Sequence, residues 1–178
     1  GRSELIASLT AARAANIPAM VRVASLDMGV IGQALDAGAQ GVMAPMIETT
    51  EEVAALVQAT KYPPIGRRSF GPYRAKHIIH GDYFSASNSW TIACGQIETE
   101  RAVNNIDDIC SVPGLDMICV GPNDLAIALS CGKSRDIRTP AILEAIEYVH
   151  AKATEKGIMT AIFANDHDYA AQMASNGW

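Results

Sequence analysis

Five short apolar runs alternate with segments of helical periodicity, and this alternation constrains the fold more than any other feature of the chain. The runs cover residues 19–23, 41–46, 90–97, 117–120 and 158–163. They are mainly apolar and do not alternate with polar residues, which is typical of strands buried on both faces of a parallel sheet. Strands that alternate with helices along the chain form such sheets in α/β proteins. The pattern therefore predicts an α/β fold with five parallel strands.

Local signals predict where the intervening helices begin and end. Gly38 follows the helix predicted at residues 28–37 and suits a helix C-terminus, because glycine adopts a positive φ at little cost. Thr49 precedes Glu51 and Glu52, which is typical of a helix N-terminus with a capping residue and first-turn acids. Further helices are predicted at residues 3–15, 99–109, 140–156 and 168–174.

The periodicity is lost between residues 61 and 89, where prolines and glycines are frequent. A segment of this length without regular structure is uncommon in a compact domain and is usually functional. We therefore predict a long loop at residues 61–89 that serves the active site or an interface.

Five strands are compatible with two architectures. One is an open, doubly wound sheet, and the other is part of a (β/α)8 TIM barrel of about 250 residues. The Gly-x-Gly-x-x-Gly turn that would favour a dinucleotide-binding sheet is absent from the sequence. The pattern alone leaves both architectures open. We interpret residues 1–178 as a single, incomplete domain, because the sequence begins inside an amphipathic helix and ends where a further strand is expected.

The composition excludes several classes of partner. The net charge of −5 and the pI near 5.3 leave no basic stripe for a phosphate backbone, so no nucleic acid is expected. No apolar run approaches the roughly 18 residues that cross a membrane, and we predict a soluble, cytoplasmic protein that binds a small molecule. The cysteines lack Cys-x-x-Cys spacing and are interpreted as reduced core thiols; they are Cys94, Cys110, Cys119 and Cys131.

Two carboxylates follow neighbouring predicted strands. Glu98 comes directly after the third strand and Asp124 a few residues after the fourth, so both are expected at the edge where parallel α/β folds place their chemistry. Like charges repel there unless a cation lies between them, and Mg²⁺ commonly binds one or two protein carboxylates. Gln96, on the same strand as Glu98, adds to this interpretation. These residues predict a divalent metal site.

Each of these carboxylates also has a structural interpretation. Glu98 is placed to be an N-terminal helix acid that the helix macrodipole favours. Asp124 is placed to cap a short helix at residues 125–129. The sequence leaves these alternatives open.

Arg22 lies inside the apolar run of the first predicted strand. A permanently charged side chain in that position needs a partner or a cavity. A guanidinium at a strand's carboxyl end suits an anionic substrate or a developing oxyanion. The alternative is a structural ion pair with Asp27 or Asp36.

Lysines and histidines give weaker signals. A Schiff-base mechanism needs a buried lysine, and we predict polar or helix-surface settings for Lys61, Lys76, Lys133, Lys152 and Lys156. His77 and His80 are three residues apart without a third ligand, and we interpret them as surface or interface residues.

Five sequence blocks together resemble the HpcH/HpaI aldolase/citrate lyase family. They are VRV at Arg22, QALDAGAQGVMAPMIET with Asp36, YPPIGRRSFG from Tyr62, GQIET from Gly95 and VGPNDL from Val120. The resemblance runs from about Leu5 to the C-terminus. It implies a TIM barrel with about five of its eight strands present, and a pyruvate-dependent class II aldolase that requires Mg²⁺, Mn²⁺ or Co²⁺. It also implies a homo-oligomer, either a trimer or a hexamer.

The same resemblance implies roles for individual residues. Glu98 and Asp124 match the metal ligands, and Arg22 matches the catalytic arginine that meets the 2-oxo acid and its enolate. Asp36 matches a catalytic acid that orients a histidine, and that histidine has no counterpart in this sequence. Substrate binding, in part through backbone amides, is implied for Arg22, Gln96, Gly121, Asn123 and Asp124.

The implied reaction cleaves 2-oxo-4-hydroxy acids to pyruvate and an aldehyde through an enolate that the metal stabilises. Two alternatives stay open. A decarboxylase of oxaloacetate-like 2-oxo acids would form the same enolate. The other is a non-catalytic remnant or structural domain, a truncated barrel that persists only through oligomer contacts.

Overall fold

The computed structural model describes residues 1–78 and 81–178 and has the predicted order of strands and helices. Its elements are α1 (Arg2–Ala14), β1 (Met20–Arg22), α2 (Met28–Asp36), β2 (Gly41–Ala44), α3 (Thr50–Thr60), α4 (Tyr83–Trp90), β3 (Ile92–Ile97), α5 (Glu100–Asn104), α6 (Ile106–Ile109), β4 (Met117–Val120), α7 (Pro122–Leu129), α8 (Pro140–Glu155), β5 (Met159–Ile162) and α9 (His167–Ser175). The strand order is β1-β2-β3-β4-β5. β1 pairs with β2 and β4 with β5 in parallel. The predicted α/β class with five parallel strands is confirmed.

The chain divides into two compact units. The first unit comprises residues 1–45, 54–94 and 113–115. The second unit comprises residues 46–53, 95–112 and 116–178. Strand β3 begins in the first unit and ends in the second.

In the first unit, α2 buries the apolar face that the sequence predicts. Ile31 and Leu35 lie one turn apart and are fully buried. The Asp27 carboxylate caps the helix by accepting a hydrogen bond from the backbone N–H of Val30 at 3.0 Å. Gly38 follows the helix with a φ of 111°, where a side chain would be strained. The predicted glycine at the end of this helix is confirmed.

Residues 61–89 contain more regular structure than predicted. Helix α4 lies in this segment, and a 3-10 turn at Ala75–His77 precedes it. Trp90, predicted to begin a strand, ends α4 and packs edge-on against Tyr83 with 6.5 Å between ring centroids. Helix α4 has only eight residues, of which four are polar, so tertiary packing stabilises this helix. His77 is exposed, as predicted, and His80 lies outside the described residues.

Lys61 is buried, with 2% of its surface exposed, so the predicted polar or surface setting was wrong for this lysine. Its ammonium group donates hydrogen bonds to the backbone carbonyls of Asn88, at 2.9 Å, and Thr91. The Asn88 side chain in turn accepts from the Tyr62 N–H at 2.7 Å and donates to the Tyr62 carbonyl at 3.0 Å. Carbonyl groups from across the first unit therefore compensate the buried charge, which a sequence pattern does not reveal.

We expect Lys61→Met to destabilise the protein by about 2–4 kcal/mol, because the substitution keeps the apolar stem and removes the hydrogen bonds to the carbonyls of Asn88 and Thr91. Urea unfolding measures this change. Lys133→Met is the control, because Lys133 is exposed. Equal unfolding midpoints for the two variants would contradict a structural role for the Lys61 ammonium group.

In the second unit, α8 buries one face and packs against α6, α7 and β5. Its buried residues recur at helical spacing; they are Ile142, Ile146, Val149 and Ala153. The single helix predicted at residues 99–109 is instead two short helices, α5 and α6, which meet at Asn105. The Asn105 side chain donates to the Glu48 carbonyl at 2.8 Å, so it contributes to a contact between segments.

Two predictions from composition have different outcomes. Cys94, Cys110 and Cys119 are buried as predicted, whereas Cys131 is exposed. Cys131 has a φ of 53° and follows the end of α7, so it lies in a turn and not in the core. Among the helices of residues 1–78 and 81–178, none combines the length and the apolar character that crossing a bilayer requires.

Candidate active site

The Glu98 side chain is buried directly after strand β3, with 3% of its surface exposed. Its Oε2 atom accepts a hydrogen bond from the backbone N–H of Met46 at 2.8 Å. Thr99 caps α5, because its hydroxyl accepts a hydrogen bond from the Ala102 N–H at 3.1 Å. The carboxylate of Glu98 is thus held by a segment outside α5, and the interpretation of Glu98 as an acid of that helix is wrong.

Gly121 makes room for the Glu98 carboxylate. A Cβ atom at position 121 would lie 2.7 Å from Glu98 Oε1 and 2.8 Å from its Cγ, both too short for non-bonded contacts. The φ of Gly121 is −96°, which other residues adopt freely. Space, and not backbone conformation, is therefore the reason that glycine is needed here. The role of Gly121 in substrate binding stays a prediction.

Asp124 lies in the first turn of α7 and is exposed. The helix begins at Pro122, and its N-cap residue Gly121 makes no side-chain hydrogen bond. The interpretation of Asp124 as the cap of a helix at residues 125–129 is therefore wrong, because the helix starts three residues earlier. An acid in the first turn is favoured by the helix macrodipole, and its exposed carboxylate is accessible to a ligand.

The side chains of Asn123 and Asn165 form a reciprocal amide pair. Asn123 Nδ2 donates to Asn165 Oδ1 at 3.1 Å, and Asn165 Nδ2 donates to Asn123 Oδ1 at 3.2 Å. Asn165 follows strand β5 and Asn123 follows strand β4. The pair therefore connects the segments that leave two adjacent strands within the second unit.

Cys119 lies on β4 and is buried. Burial, and to a smaller extent the Glu98 carboxylate, raise the pKa of its thiol to about 11. The thiol consequently stays protonated at neutral pH and does not act as a thiolate ligand. Glu98 and Asp124 both offer carboxylate oxygens as ligand atoms in the second unit.

The residues present fit a hard divalent cation by the chemistry of their donor atoms. A carboxylate as buried as that of Glu98 needs compensation of its charge, and Mg²⁺ is bound through one or two carboxylates together with water and substrate oxygens. Within the part of the chain that the structure describes, no three His, Cys, Asp or Glu side chains cluster as a complete protein ligand set would. A two-carboxylate site is consistent with that finding.

Two of the predicted residues belong to the first unit. Arg22 is the last residue of β1 and is exposed. Asp36 is the last residue of α2, about 12 Å along the helix from Met28. Gln96 lies on β3 in the second unit and is buried, with 7% of its surface exposed. The structure thus brings Glu98 and Gly121 into contact, and Asn123 and Asp124 into one helical turn.

Arg68 is a buried residue to which the sequence analysis gave no role. Its Nη2 atom donates to Asp36 Oδ1 at 2.8 Å, and its guanidinium group lies over the Tyr62 ring at 4.7 Å from the ring centroid. Burial is the main cause that raises the pKa of Tyr62 to about 12. The block YPPIGRRSFG contains both Tyr62 and Arg68. The contact between the Arg68 guanidinium group and the Tyr62 ring depends on the path of the chain between them.

Known proteins match this chain in sequence and in structure. The model of the HpcH/HpaI aldolase/citrate lyase family matches residues 2–178. The hydroxypyruvate/pyruvate aldolase of Rhizorhabdus wittichii RW1 is 35% identical over 158 residues, which are 89% of this chain and 63% of that protein. The 4-hydroxy-2-oxovalerate aldolase of Rhodococcus jostii RHA1 is 36% identical over 147 residues, which are 81% of this chain and 57% of that protein. The chain thus spans about three fifths of the length of these curated relatives.

A solved structure gives the same result for the fold. The crystal structure of an HpcH/HpaI aldolase/citrate lyase family protein from Burkholderia cenocepacia J2315 superposes with a TM-score of 0.89 at 34% sequence identity. The superposition covers 100% of this chain and 72% of that protein. The strand-end carboxylates, the five parallel strands and the match over residues 2–178 lead to one conclusion. The chain belongs to the HpcH/HpaI aldolase/citrate lyase family.

Proposed function

We propose that this protein acts as a metal-dependent class II aldolase that cleaves 2-oxo-4-hydroxy acids to pyruvate and an aldehyde. The observation that carries the proposal is the buried Glu98 carboxylate, which lies between the Met46 amide and Gly121 directly after β3. Aldolases among the family relatives, named for hydroxypyruvate/pyruvate and for 4-hydroxy-2-oxovalerate, support a 2-oxo acid substrate.

Glu98 and Asp124 are the residues that would hold the divalent cation, which we propose to be Mg²⁺, Mn²⁺ or Co²⁺. When bound, such a cation supplies Lewis-acid stabilisation of negative charge on a 2-oxo oxygen, worth several kcal/mol. The protein contributes the position of the carboxylates. Glu98 is held by a backbone N–H and by close packing at Gly121, so its orientation is set before any ligand binds.

The other substrate contacts are assigned by chemistry. The first backbone N–H groups of a helix have no partner within the helix and favour anions, so we assign the substrate carboxylate to the amides of Asn123 and Asp124 beside Gly121. Arg22 would donate to the oxygen that gains negative charge as the carbon–carbon bond breaks. Gln96 would donate to the same substrate. The assignment of Arg22 rests on the family resemblance alone, and those of Gln96, Asn123 and Asp124 rest on the resemblance together with their positions in the second unit.

The proposed role of Asp36 is to orient a catalytic histidine. In the structure its carboxylate accepts a hydrogen bond from Arg68, and the Arg68 guanidinium is itself fixed over the Tyr62 ring. The carboxylate keeps acceptor sites on both oxygens that could receive an imidazole N–H.

The assembly is also a proposal. We infer a homo-oligomer, a trimer or a hexamer, in which residues 61–89 contribute to an interface or to the active site. Two exposed rings in this segment support the inference. Phe70 and Phe84 are 62% and 48% exposed, and their centroids lie 5.6 Å and 5.3 Å from that of Tyr62.

An assay of pyruvate formation tests the proposed function. With Mn²⁺ present, we expect the protein to release pyruvate from 4-hydroxy-2-oxovalerate, and we expect removal of the metal by EDTA to stop the reaction because the enolate loses its Lewis acid. Re-addition of Mn²⁺ in excess should restore the rate. Calorimetric titration with Mn²⁺ provides a measurement that does not depend on turnover.

The same assay separates the alternatives. Pyruvate formation from oxaloacetate alone would favour a decarboxylase. Absence of pyruvate from both acids, together with absence of Mn²⁺ binding, would favour a protein without catalytic activity.

A further inference from the structure

Glu48 binds the segment that follows Glu98 through three contacts. Its Oε1 atom accepts a hydrogen bond from the Thr99 hydroxyl at 2.7 Å. Its Oε2 atom lies 3.5 Å from Nη1 of Arg101. Its backbone carbonyl accepts from Nδ2 of Asn105 at 2.8 Å. One residue of the β2–α3 connection is therefore joined to three residues of the chain that leaves β3.

Glu48 is also fixed on its own side. Its backbone N–H and that of Thr49 donate to Oε2 of Glu52 at 2.7 Å and 3.0 Å, and the Thr49 hydroxyl accepts from the Glu52 N–H at 3.3 Å. This reciprocal arrangement is a capping box at the start of α3. Met46, two residues before Glu48, adopts a φ of 55° and donates its N–H to Glu98.

Thr99 shares its hydroxyl between two partners. The hydroxyl donates to Glu48 and accepts from the Ala102 N–H at 3.1 Å. With both functions occupied, the rotamer of Thr99 is defined, and Thr99 is the residue directly after Glu98. The bridge from Glu48 to Thr99 therefore acts one residue from the Glu98 carboxylate and two residues from the Met46 amide.

We propose that Glu48 is a positioning residue that holds the Met46 amide and the Glu98 carboxylate in the register required for cation binding. The bridge itself follows from the contacts of the second unit, and its link to a cation rests on the proposed function. Glu48 would not touch the cation. Residues that orient a metal ligand in this way typically change metal affinity about 10- to 100-fold when they are replaced.

The test compares Glu48→Ala and Thr99→Val with two matched variants. Thr99→Ser keeps the hydroxyl and should retain the bridge. Glu100→Ala removes an exposed acid beside Thr99 that has no part in the bridge. We expect Glu48→Ala and Thr99→Val to weaken Mn²⁺ binding by roughly 10- to 100-fold in calorimetric titration. The serine variant and Glu100→Ala should bind Mn²⁺ as the parent protein does.

A second measurement needs no metal. Hydrogen exchange at the Met46 amide should accelerate in Glu48→Ala and stay at the parent rate in Glu100→Ala, because the bridge maintains the hydrogen bond to Glu98. If the parent protein binds no Mn²⁺, the metal-dependent function fails, and the exchange rates still decide whether Glu48 holds the two groups together.

Two results would overturn the proposal. The first is Glu48→Ala with parental Mn²⁺ affinity and parental protection of the Met46 amide. The second is a lower melting temperature with unchanged affinity, which would show that Glu48 stabilises the fold without positioning Glu98. If Glu48→Ala does not fold, the Mn²⁺ affinities of Thr99→Val and Thr99→Ser decide. Equal affinities in these two variants would overturn the proposal.

Discussion

Replacement of Glu98 by glutamine is expected to abolish metal-dependent pyruvate formation and to leave the fold intact. The Met46 N–H lies 2.8 Å from one carboxylate oxygen, and in glutamine the carbonyl oxygen takes that position because a donor needs an acceptor. The amide –NH₂ then replaces the other oxygen, beside Gly121. It offers donors and no negative charge where a cation needs an acceptor. Glutamine is also close to glutamate in size, so packing at Gly121 is retained.

The expected loss for Glu98→Gln is about 10³-fold or more in kcat/KM, which corresponds to about 4 kcal/mol of transition-state stabilisation. Pyruvate detection measures the rate, and urea unfolding tests whether the fold is retained. Glu100→Gln is the control, because Glu100 is an exposed acid two residues away. A Glu98→Gln protein with parental turnover in Mn²⁺ would remove Glu98 from the candidate site.

The position of the two carboxylates could be predicted from the sequence, because strand ends in a parallel α/β protein are marked by the ends of apolar runs. Glu98 follows β3 by one residue, and Asp124 lies in the first turn after β4. The structural alternatives for both residues failed for a local reason. Helix α5 begins after Thr99 and α7 begins at Pro122, and shifts of this size are usual when helix ends are predicted from a single sequence.

The contacts that orient Glu98 could not be predicted. Met46 is 52 residues from Glu98 in sequence, and its backbone has a φ of 55°. No sequence pattern marks a non-glycine residue for that conformation, which is uncommon outside asparagine and aspartate. The Glu48 bridge was missed for the same reason, because it joins two connections whose paths are set by tertiary packing.

The burial of two charged side chains could not be predicted either. Lys61 and Arg68 are 2% and 4% exposed. Lysine and arginine are rarely buried without a partner. Their partners are a pair of backbone carbonyls for Lys61 and the Asp36 carboxylate for Arg68. Every residue has a backbone carbonyl, so the sequence does not indicate which carbonyls bind Lys61 or that its side chain is buried. The pairing of Arg68 with Asp36 spans 32 positions and was equally hidden.

Gly121→Ala should displace the Glu98 carboxylate without removing either of its oxygens or its charge. The added methyl group would lie 2.7 Å from Oε1, 2.8 Å from Cγ and 3.2 Å from Cδ. The side chain has little room to move, because it is 3% exposed and bonded to the Met46 N–H. The backbone of Gly121 accepts alanine, since its φ is −96°, so the whole effect is steric.

We expect Gly121→Ala to lower kcat/KM by about 10²-fold, because a displacement near 1 Å of a group that orients the reaction costs about that factor. We also expect a stability loss of about 1–3 kcal/mol from overpacking. Gly32→Ala is the control, since a Cβ atom there meets nothing within 4 Å. In the double variant Gly121→Ala, Glu98→Asp, the carboxylate of the shorter aspartate side chain withdraws from the added methyl group, so stability should be restored. The same carboxylate also withdraws from the Met46 amide, so turnover should not be restored. Parental turnover in Gly121→Ala would show that the carboxylate tolerates displacement and that its contact with Gly121 has no functional consequence.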